Sequence, residues 1–413
     1  MAADATGQRM LGAGDVRRIL LSIAFSLVGL EAGAGGPTDA DCMACHDGVS
    51  LGSSIHAQAS LSCVDCHSDL ATLKEFPHAQ TLAPANCAAC HDDVAGKYAL
   101  GVHARAIAAG RKGARCSDCH GAGHAVLPAS DPKSPTNHFN VPQTCAQCHG
   151  GKTGPASRFE DSIHGKALAK SGLKVAPNCA TCHAAHDVRD PRDESSPVYH
   201  ANVPKTCGSC HEGIVARYET SVHGKAVAGG NARAAVCTDC HSAHAIRDVG
   251  VPAWKLEVLS ECGTCHSHSL KTYRDCFHGQ ASALGFTRVA ACADCHGSHD
   301  ILPVLDPGSR VAKANLVQTC GRCHAGANES YVKYDPHARP HDKDRSAPVY
   351  YTTLFMQVLL AAVFSFFGLH VALWFPKEMR VRRERAIVLA ATKPEAPEAP
   401  VQEDEKDGDE PPR

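Results

Sequence analysis

The chain has 413 residues, a formal charge of −2, 44% hydrophobic residues and only 5% aromatic residues. The near-neutral balance gives no reason to expect a nucleic-acid partner, and the length suits two or three ordinary domains. The 23 cysteines and 27 histidines are not ordinary; they leave a disulfide scaffold, metal sites or covalent cofactor attachment as the open explanations.

In chain order, Arg9, Arg17 and Arg18 precede an apolar run from Ile19 to Leu30 and the small-residue stretch EAGAGG. This is the build of a secretory signal peptide over residues 1–34, cut near Ala34. Read instead as a membrane anchor, the run is short for a bilayer. The chain beyond residue 34 is expected to be exported.

Between residues 41 and 341 the pattern Cys-x-x-Cys-His occurs eleven times. Its cysteine pairs are Cys42 and Cys45, Cys63 and Cys66, Cys87 and Cys90, Cys116 and Cys119, Cys145 and Cys148, Cys179 and Cys182, Cys207 and Cys210, Cys237 and Cys240, Cys262 and Cys265, Cys292 and Cys295, and Cys320 and Cys323. The pairs are followed by His46, His67, His91, His120, His149, His183, His211, His241, His266, His296 and His324. Two thiols at this spacing add across the two vinyl groups of one porphyrin, and the adjacent histidine becomes the proximal ligand of the iron. Zinc ribbons also begin with Cys-x-x-Cys, but neither zinc nor disulfides require a histidine after every second cysteine. The expectation is eleven covalently bound haem c groups.

The motifs repeat in pairs. Those starting at Cys87, Cys145, Cys207, Cys262 and Cys320 are 58, 62, 55 and 58 residues apart, and a second motif comes 29 to 34 residues later at Cys116, Cys179, Cys237 and Cys292. The first repeat, Cys42 to Cys63, is shortened and the last is a half; the repeats lie near 41–78, 79–130, 131–192, 193–250, 251–305 and 306–341. A further histidine stands 10 to 15 residues after each first-position motif histidine, at His56, His103, His164, His223, His278 and His337. Three or four residues after the second-position histidines stand His124, His186, His244 and His299, while His78 comes 11 after His67. Eleven extra histidines for eleven irons fit one distal ligand each. Met43, inside a motif loop, is the one methionine of this region, which excludes general His/Met ligation and its raised potentials. A histidine so soon after its own proximal ligand is expected to reach a neighbouring iron.

His138 and His200 stand seven residues before a first-position cysteine, where later repeats carry Lys255 and Lys313, so a hydrogen bond or a solvent site is expected there. Cys276 replaces Ser162 and Ser221 of sister repeats and reads as a free thiol. Roughly 27 residues per haem cannot wrap each porphyrin in its own bundle. The expected fold is short α-helices and coil, an elongated multihaem repeat array with a haem-dominated core, plus one C-terminal transmembrane helix.

The alternation of S-x-H-G, C-x-x-C-H and C-H-x-x-H over residues 41–341 resembles periplasmic multihaem c-type cytochromes with paired motifs. These include the decahaem subunits of outer-membrane electron conduits and the pentahaem donor to nitrite reductase. The resemblance implies closely spaced haems that pass electrons end to end. Eleven motifs and a C-terminal membrane segment depart from the decahaem pattern and put a role inside an outer-membrane porin in doubt.

Residues 350–375, YYTTLFMQVLLAAVFSFFGLHVALWF, are long enough to span a bilayer. Tyr350, Tyr351 and Trp374 flank the span, and Lys377, Arg380, Arg382, Arg383 and Arg385 stand behind it. Those basic residues put that end in the cytoplasm. Residues 376–413 then form a basic segment and a disordered acidic, Pro-rich tail. His370 inside the span could ligate a b-type haem shared with a partner, border a quinol site, or be a neutral histidine bonded to a neighbouring helix.

Three functions compete on these features. The first is a membrane-anchored carrier between a quinol-oxidising, cytochrome b-type membrane subunit and periplasmic redox proteins. The second is a multihaem reductase of a small nitrogen or sulfur oxyanion, which needs an open iron position. The third is a subunit of a polymeric cytochrome wire.

Overall fold

The computed structural model describes residues 36–392 except 50, 53 and 80. The signal peptide expected at 1–34 and the acidic tail beyond residue 392 lie outside them. The described residues form helices and loops with no strand. Short, Gly- and Pro-punctuated segments between motifs account for this, because no stretch is long and alternating enough to pair as a sheet.

Two compact units are present: residues 36–265 with 290–327, and residues 266–289 with 328–392. In the first, helices of four to nine residues dominate, for example Val102–Ala108, Cys116–His120, Ile163–Ala169 and Val222–Ala228. Pro252–Cys265 is longer, at 14 residues. The large apolar side chains that are buried are Leu168, Val203, Val236 and Leu259 in this unit and Tyr273 in the other. So few of them cannot supply an ordinary hydrophobic core.

Polar clamps replace part of that core. Ser134, Ser196 and Ser309 are each about 2% exposed or less. In each turn an asparagine amide closes the loop: Asn140 Nδ2 donates to the carbonyls of Pro132 and Ser134, Asn202 Nδ2 to Glu194 and Ser196, and Asn315 Nδ2 to Pro307 and Ser309. A threonine four residues on adds another bond, from Thr144 to Pro135, Thr206 to Pro197 and Thr319 to Arg310. The first motif cysteine comes directly after that threonine. The clamps thus fix where the motifs at Cys145, Cys207 and Cys320 begin.

In the second unit, Ser267–Asp275 and Phe277–Ala283 precede the segment that leads to the long helix Ala347–Ala391. That segment is tied down by Arg345 Nε to Asp335 Oδ2 at 2.9 Å and by His337 N to Asp335 Oδ1 at 2.8 Å. The 45-residue helix is about 68 Å long at 1.5 Å per residue. It carries a window of mean hydropathy 2.2 and has no buried residue, as a candidate membrane span does. The span expected at 350–375 lies within it. The helix does not stop at Pro376, although a proline there leaves the carbonyl four residues back without its donor. It continues through the basic residues, where Glu378 and Arg382 pair at 3.1 Å.

Candidate functional site

Each second-position motif is a single turn and a half of helix whose third residue holds its start. Asp65, Asp118, Asp239 and Asp294 accept the backbone N–H of Ser62, Arg115, Val236 and Ala291, each at 2.7 Å. In the Cys179 motif the roles pass to Thr181 Oγ1, which accepts from Asn178 N, and to Asn178 Oδ1, which accepts from Ala180 N. The Asn178–Thr181 cap is reciprocal, and in the other motifs the aspartate alone closes the start of the helix by accepting the N–H of the residue before it. Directly after the motif histidine, Gly121, Ala184, Ser242 and Gly297 take φ of 87°, 65°, 59° and 87°. With ψ near 180° this is backbone that side-chain-bearing residues adopt only under strain. The reversal sends the next histidine away from its own motif.

The helices bearing the first-position extra histidines are built on another local device. Ser54, Ser162 and Ser221 cap them, with Oγ accepting from His56 N, Gly165 N and Gly224 N at 3.2, 3.0 and 3.1 Å. The S-x-H-G glycines are required by packing: a Cβ on Gly165, Gly224 or Gly279 would run into the carbonyl oxygen of Phe159, Tyr218 or Tyr273 respectively. The amide after the cap crosses to another repeat. Ile55 N donates to Val126 O, Val102 N to Val188 O, Ile163 N to Ile246 O and Val222 N to Ile301 O, at 2.7 to 2.8 Å. Each acceptor lies two residues after His124, His186, His244 or His299.

These constraints bring histidines together in pairs. Ring centroids are 5.8 Å apart for His46 and His78, 6.2 Å for His56 and His91, and 6.1 Å for His67 and His124. They are 6.2 Å apart for His103 and His149, and 6.1 Å for His120 with His186 and for His164 with His211. His183 and His244 stand 5.9 Å apart, and His241 and His299 6.1 Å. Every pair joins one motif histidine to one extra histidine. A metal about 2 Å from each imidazole nitrogen puts two opposed ring centroids about 6 Å apart. The direction of pairing alternates: His91, His149 and His211 face histidines of the preceding repeat, whereas His67, His120, His183 and His241 face histidines of the next one. Among these pairs, only His46 faces a histidine of its own repeat.

Of the other predicted ligands, His223 and His278 lie on Val222–Ala228 and Phe277–Ala283, and His296 ends Cys292–His296. His266 opens Ser267–Asp275, and His324 comes just after Leu316–Gly321. Thr272 Oγ1 lies 2.9 Å from His337 Nδ1.

Thiols meet as the imidazoles do. The first cysteines of the two motifs within a repeat lie close enough to perturb each other's thiols: Cys42 with Cys63, Cys87 with Cys116, Cys145 with Cys179, Cys207 with Cys237 and Cys262 with Cys292. Burial, and behind it the facing histidine, pushes His103, His164 and His241 below the ordinary imidazole range. The neutral ring this favours is the ligating form.

A porphyrin fits these residues on volume as well. Seven motifs, from Cys42 to His211, line one cavity of about 3330 Å³, several times the roughly 300–1,000 Å³ of an ordinary ligand pocket. Among the described residues no group of three or more His, Cys, Asp or Glu gathers as a metal site. Histidines come instead as facing pairs, which could hold the iron of a porphyrin from its two sides.

Two of the remaining histidines, His138 and His200, serve the scaffold. His138 Nε2 bonds the carbonyl of Ala176 at 2.9 Å, and its Nδ1 lies 3.2 Å from Asn178 Nδ2. His200 pairs with Asp239 at 3.5 Å, and Lys255 with Asp294 at 2.7 Å. All three reach the cap of a second-position motif, which explains why histidine and lysine interchange there. Cys276 is buried and makes no side-chain cap. His370 is exposed on the long helix.

Sequence reasoning did not find the capping aspartates, the asparagine–threonine clamps or Trp254, which stacks on His241 at 5.1 Å. The aspartates recur at a fixed offset inside the motif, and that was the available signal.

Residues 49–120 match the family model of cytochrome c7 and related cytochrome c. The segment contains the motifs at Cys63, Cys87 and Cys116. With the motifs and the helical fold of the described residues, this match supports a multihaem c-type cytochrome. No curated protein matches it.

Proposed function

We propose that the protein is a membrane-anchored electron carrier that holds eleven haem c groups, each between a motif histidine and one of the extra histidines. It passes electrons between a quinol-oxidising, cytochrome b-type membrane subunit and periplasmic redox proteins. The observation that carries this reading is the set of eight opposed imidazole pairs at 5.8 to 6.2 Å. The motif histidines are the proximal ligands; His223, His278 and His337 complete the distal set, and His266, His296 and His324 the proximal one.

Haem, once bound, supplies one-electron chemistry at low potential under bis-histidine ligation. The chain's residues do the positioning. The paired first cysteines set neighbouring attachment points near one another, and the alternating pairing joins successive repeats through their histidines. Where two imidazoles face each other, they would hold a haem iron between them and leave an oxyanion no open position on it. The long apolar helix anchors the exported part to the inner membrane with its basic end in the cytoplasm.

Stopped-flow spectroscopy on the dithionite-reduced protein tests the reading. A carrier is reoxidised rapidly by an oxidised soluble c-type cytochrome and stays reduced with nitrite, sulfite or hydroxylamine. Multiple-turnover oxidation by one of those small molecules would move the reductase to first place.

A further inference from the structure

Trp254 is one of two tryptophans in the chain, and the other, Trp374, lies in the long helix. Its ring stacks on His241 with centroids 5.1 Å apart and planes 7° apart. His241 in turn faces His299 at 6.1 Å with planes 13° apart. Eight residues before the three clamped first-position motifs stand Asn137, Tyr199 and Ala312, so the indole belongs to this repeat alone.

The local fold holds that indole in place. Trp254 lies in the first turn of Pro252–Cys265, the 14-residue helix that carries the next motif. Its backbone N–H donates to Val251 O at 3.1 Å. The adjacent Lys255 Nζ reaches Asp294 Oδ2 at 2.7 Å, pinning this end of the helix to the cap of the Cys292 motif. Here the asparagine–threonine clamp is missing, with Glu257 and Glu261 at its two places.

We propose that Trp254 is a positioning residue that fixes the ring plane of His241 and sets the Cys237 haem apart from its siblings. The proposal rests on the reading of His241 and His299 as axial ligands. An imidazole bound through one nitrogen can rotate about that bond, and the indole face leaves it one orientation, nearly parallel to His299. The same face excludes water beside the ligand. A drier shell disfavours the ferric centre, which carries one more positive charge than the ferrous one, and raises the potential.

The test uses holoprotein carrying Trp254→Ala, Trp254→Phe or Trp254→Met. Haem is counted by pyridine haemochrome, potentials are followed by spectroelectrochemistry, and ligand planes by low-temperature EPR. With Ala, one redox component moves to lower potential and the near-parallel EPR class loses one haem's intensity, while haem count and low-spin state stay at wild type. Phe restores both properties, and Met, which fills volume without a ring, restores neither. Titration curves and EPR of the Ala variant that overlay wild type would overturn the proposal, as would full restoration by Met. If Ala impairs haem loading, the Phe and Met comparison decides alone. His241→Ala separates the underlying reading: it must create one high-spin haem, and failure to do so sinks the ligand assignment rather than the role of the indole.

Discussion

His120 and His186 face each other with centroids 6.1 Å apart and ring planes only 3° apart. His183 and His244 are set at 4°, and His241 and His299 at 13°. The pairs built on the first-position motifs at Cys87, Cys145 and Cys207 are twisted: 52° for His56 with His91, 45° for His103 with His149, and 27° for His164 with His211. The first repeat departs from both patterns, with 19° for His46 with His78 and 36° for His67 with His124. Near-parallel and twisted pairs would present different ligand fields to a bound iron. The oxidised protein is expected to show two families of low-spin EPR signals, a rhombic one from near-parallel rings and a more axial one from twisted rings. Replacing His186 by alanine removes intensity from the rhombic family only.

Gly165 stands beside His164, and a Cβ there would strike the Phe159 carbonyl. Gly165→Ala is expected to displace the helix Ile163–Ala169 and cost about 1–3 kcal/mol, as overpacking does. The ring of His164 then leaves His211, and magnetic circular dichroism gains the signature of one high-spin haem. At the matching place of another repeat Ala104 already stands, and Ala104→Gly leaves the spectrum unchanged.

Asn202 Nδ2 holds the carbonyls of Glu194 and Ser196 ahead of the Cys207 motif. Asn202→Ala leaves the partly buried Ser196 carbonyl and the exposed Glu194 carbonyl without their donor, at about 1–3 kcal/mol for a buried acceptor. Thermal unfolding of the holoprotein is expected to start at a lower temperature, with the haem count unchanged. Asn202→Ser gives an intermediate result.

Three carboxylates at the first repeat sit below the ordinary range. The Cys63 N–H lowers Asp39, the Thr38 hydroxyl lowers Asp41 and the Ser62 N–H lowers Asp65, each from 3.8. A depressed folded value means that the contribution is complete above the unfolded value and is lost as pH falls through the folded one. All three groups are exposed, so the effect is local. Hydrogen exchange over residues 62–66 is expected to lose protection below about pH 4, whereas residues 178–183, capped by Asn178 and Thr181, hold theirs.

The candidate ligand histidines stand out in the sequence because covalent haem attachment would demand a rigid spacing and because the extra histidines recur in register with it. Their pairing was not legible. His120 and His186 are 66 residues apart, and they are joined by backbone bonding such as Val102 N to Val188 O, which leaves no trace in residue type. The expectation that His124, His186, His244 and His299 leave their own motifs agrees with the positive-φ residues at Gly121, Ala184, Ser242 and Gly297. Glycine signals that turn at two of the four places, while alanine and serine conceal it at the others. The membrane span was readable from hydropathy, but the helix runs on to Ala391, because the arginines after Pro376 are good helix formers.

The most direct test of the account is a count of axial ligation in the oxidised, purified protein. Haem is quantified by pyridine haemochrome, and near-infrared magnetic circular dichroism reports the ligands. The account predicts eleven haems per chain, all low-spin with two histidine ligands. Fewer covalent haems, or a high-spin iron that binds nitrite or sulfite, would contradict it.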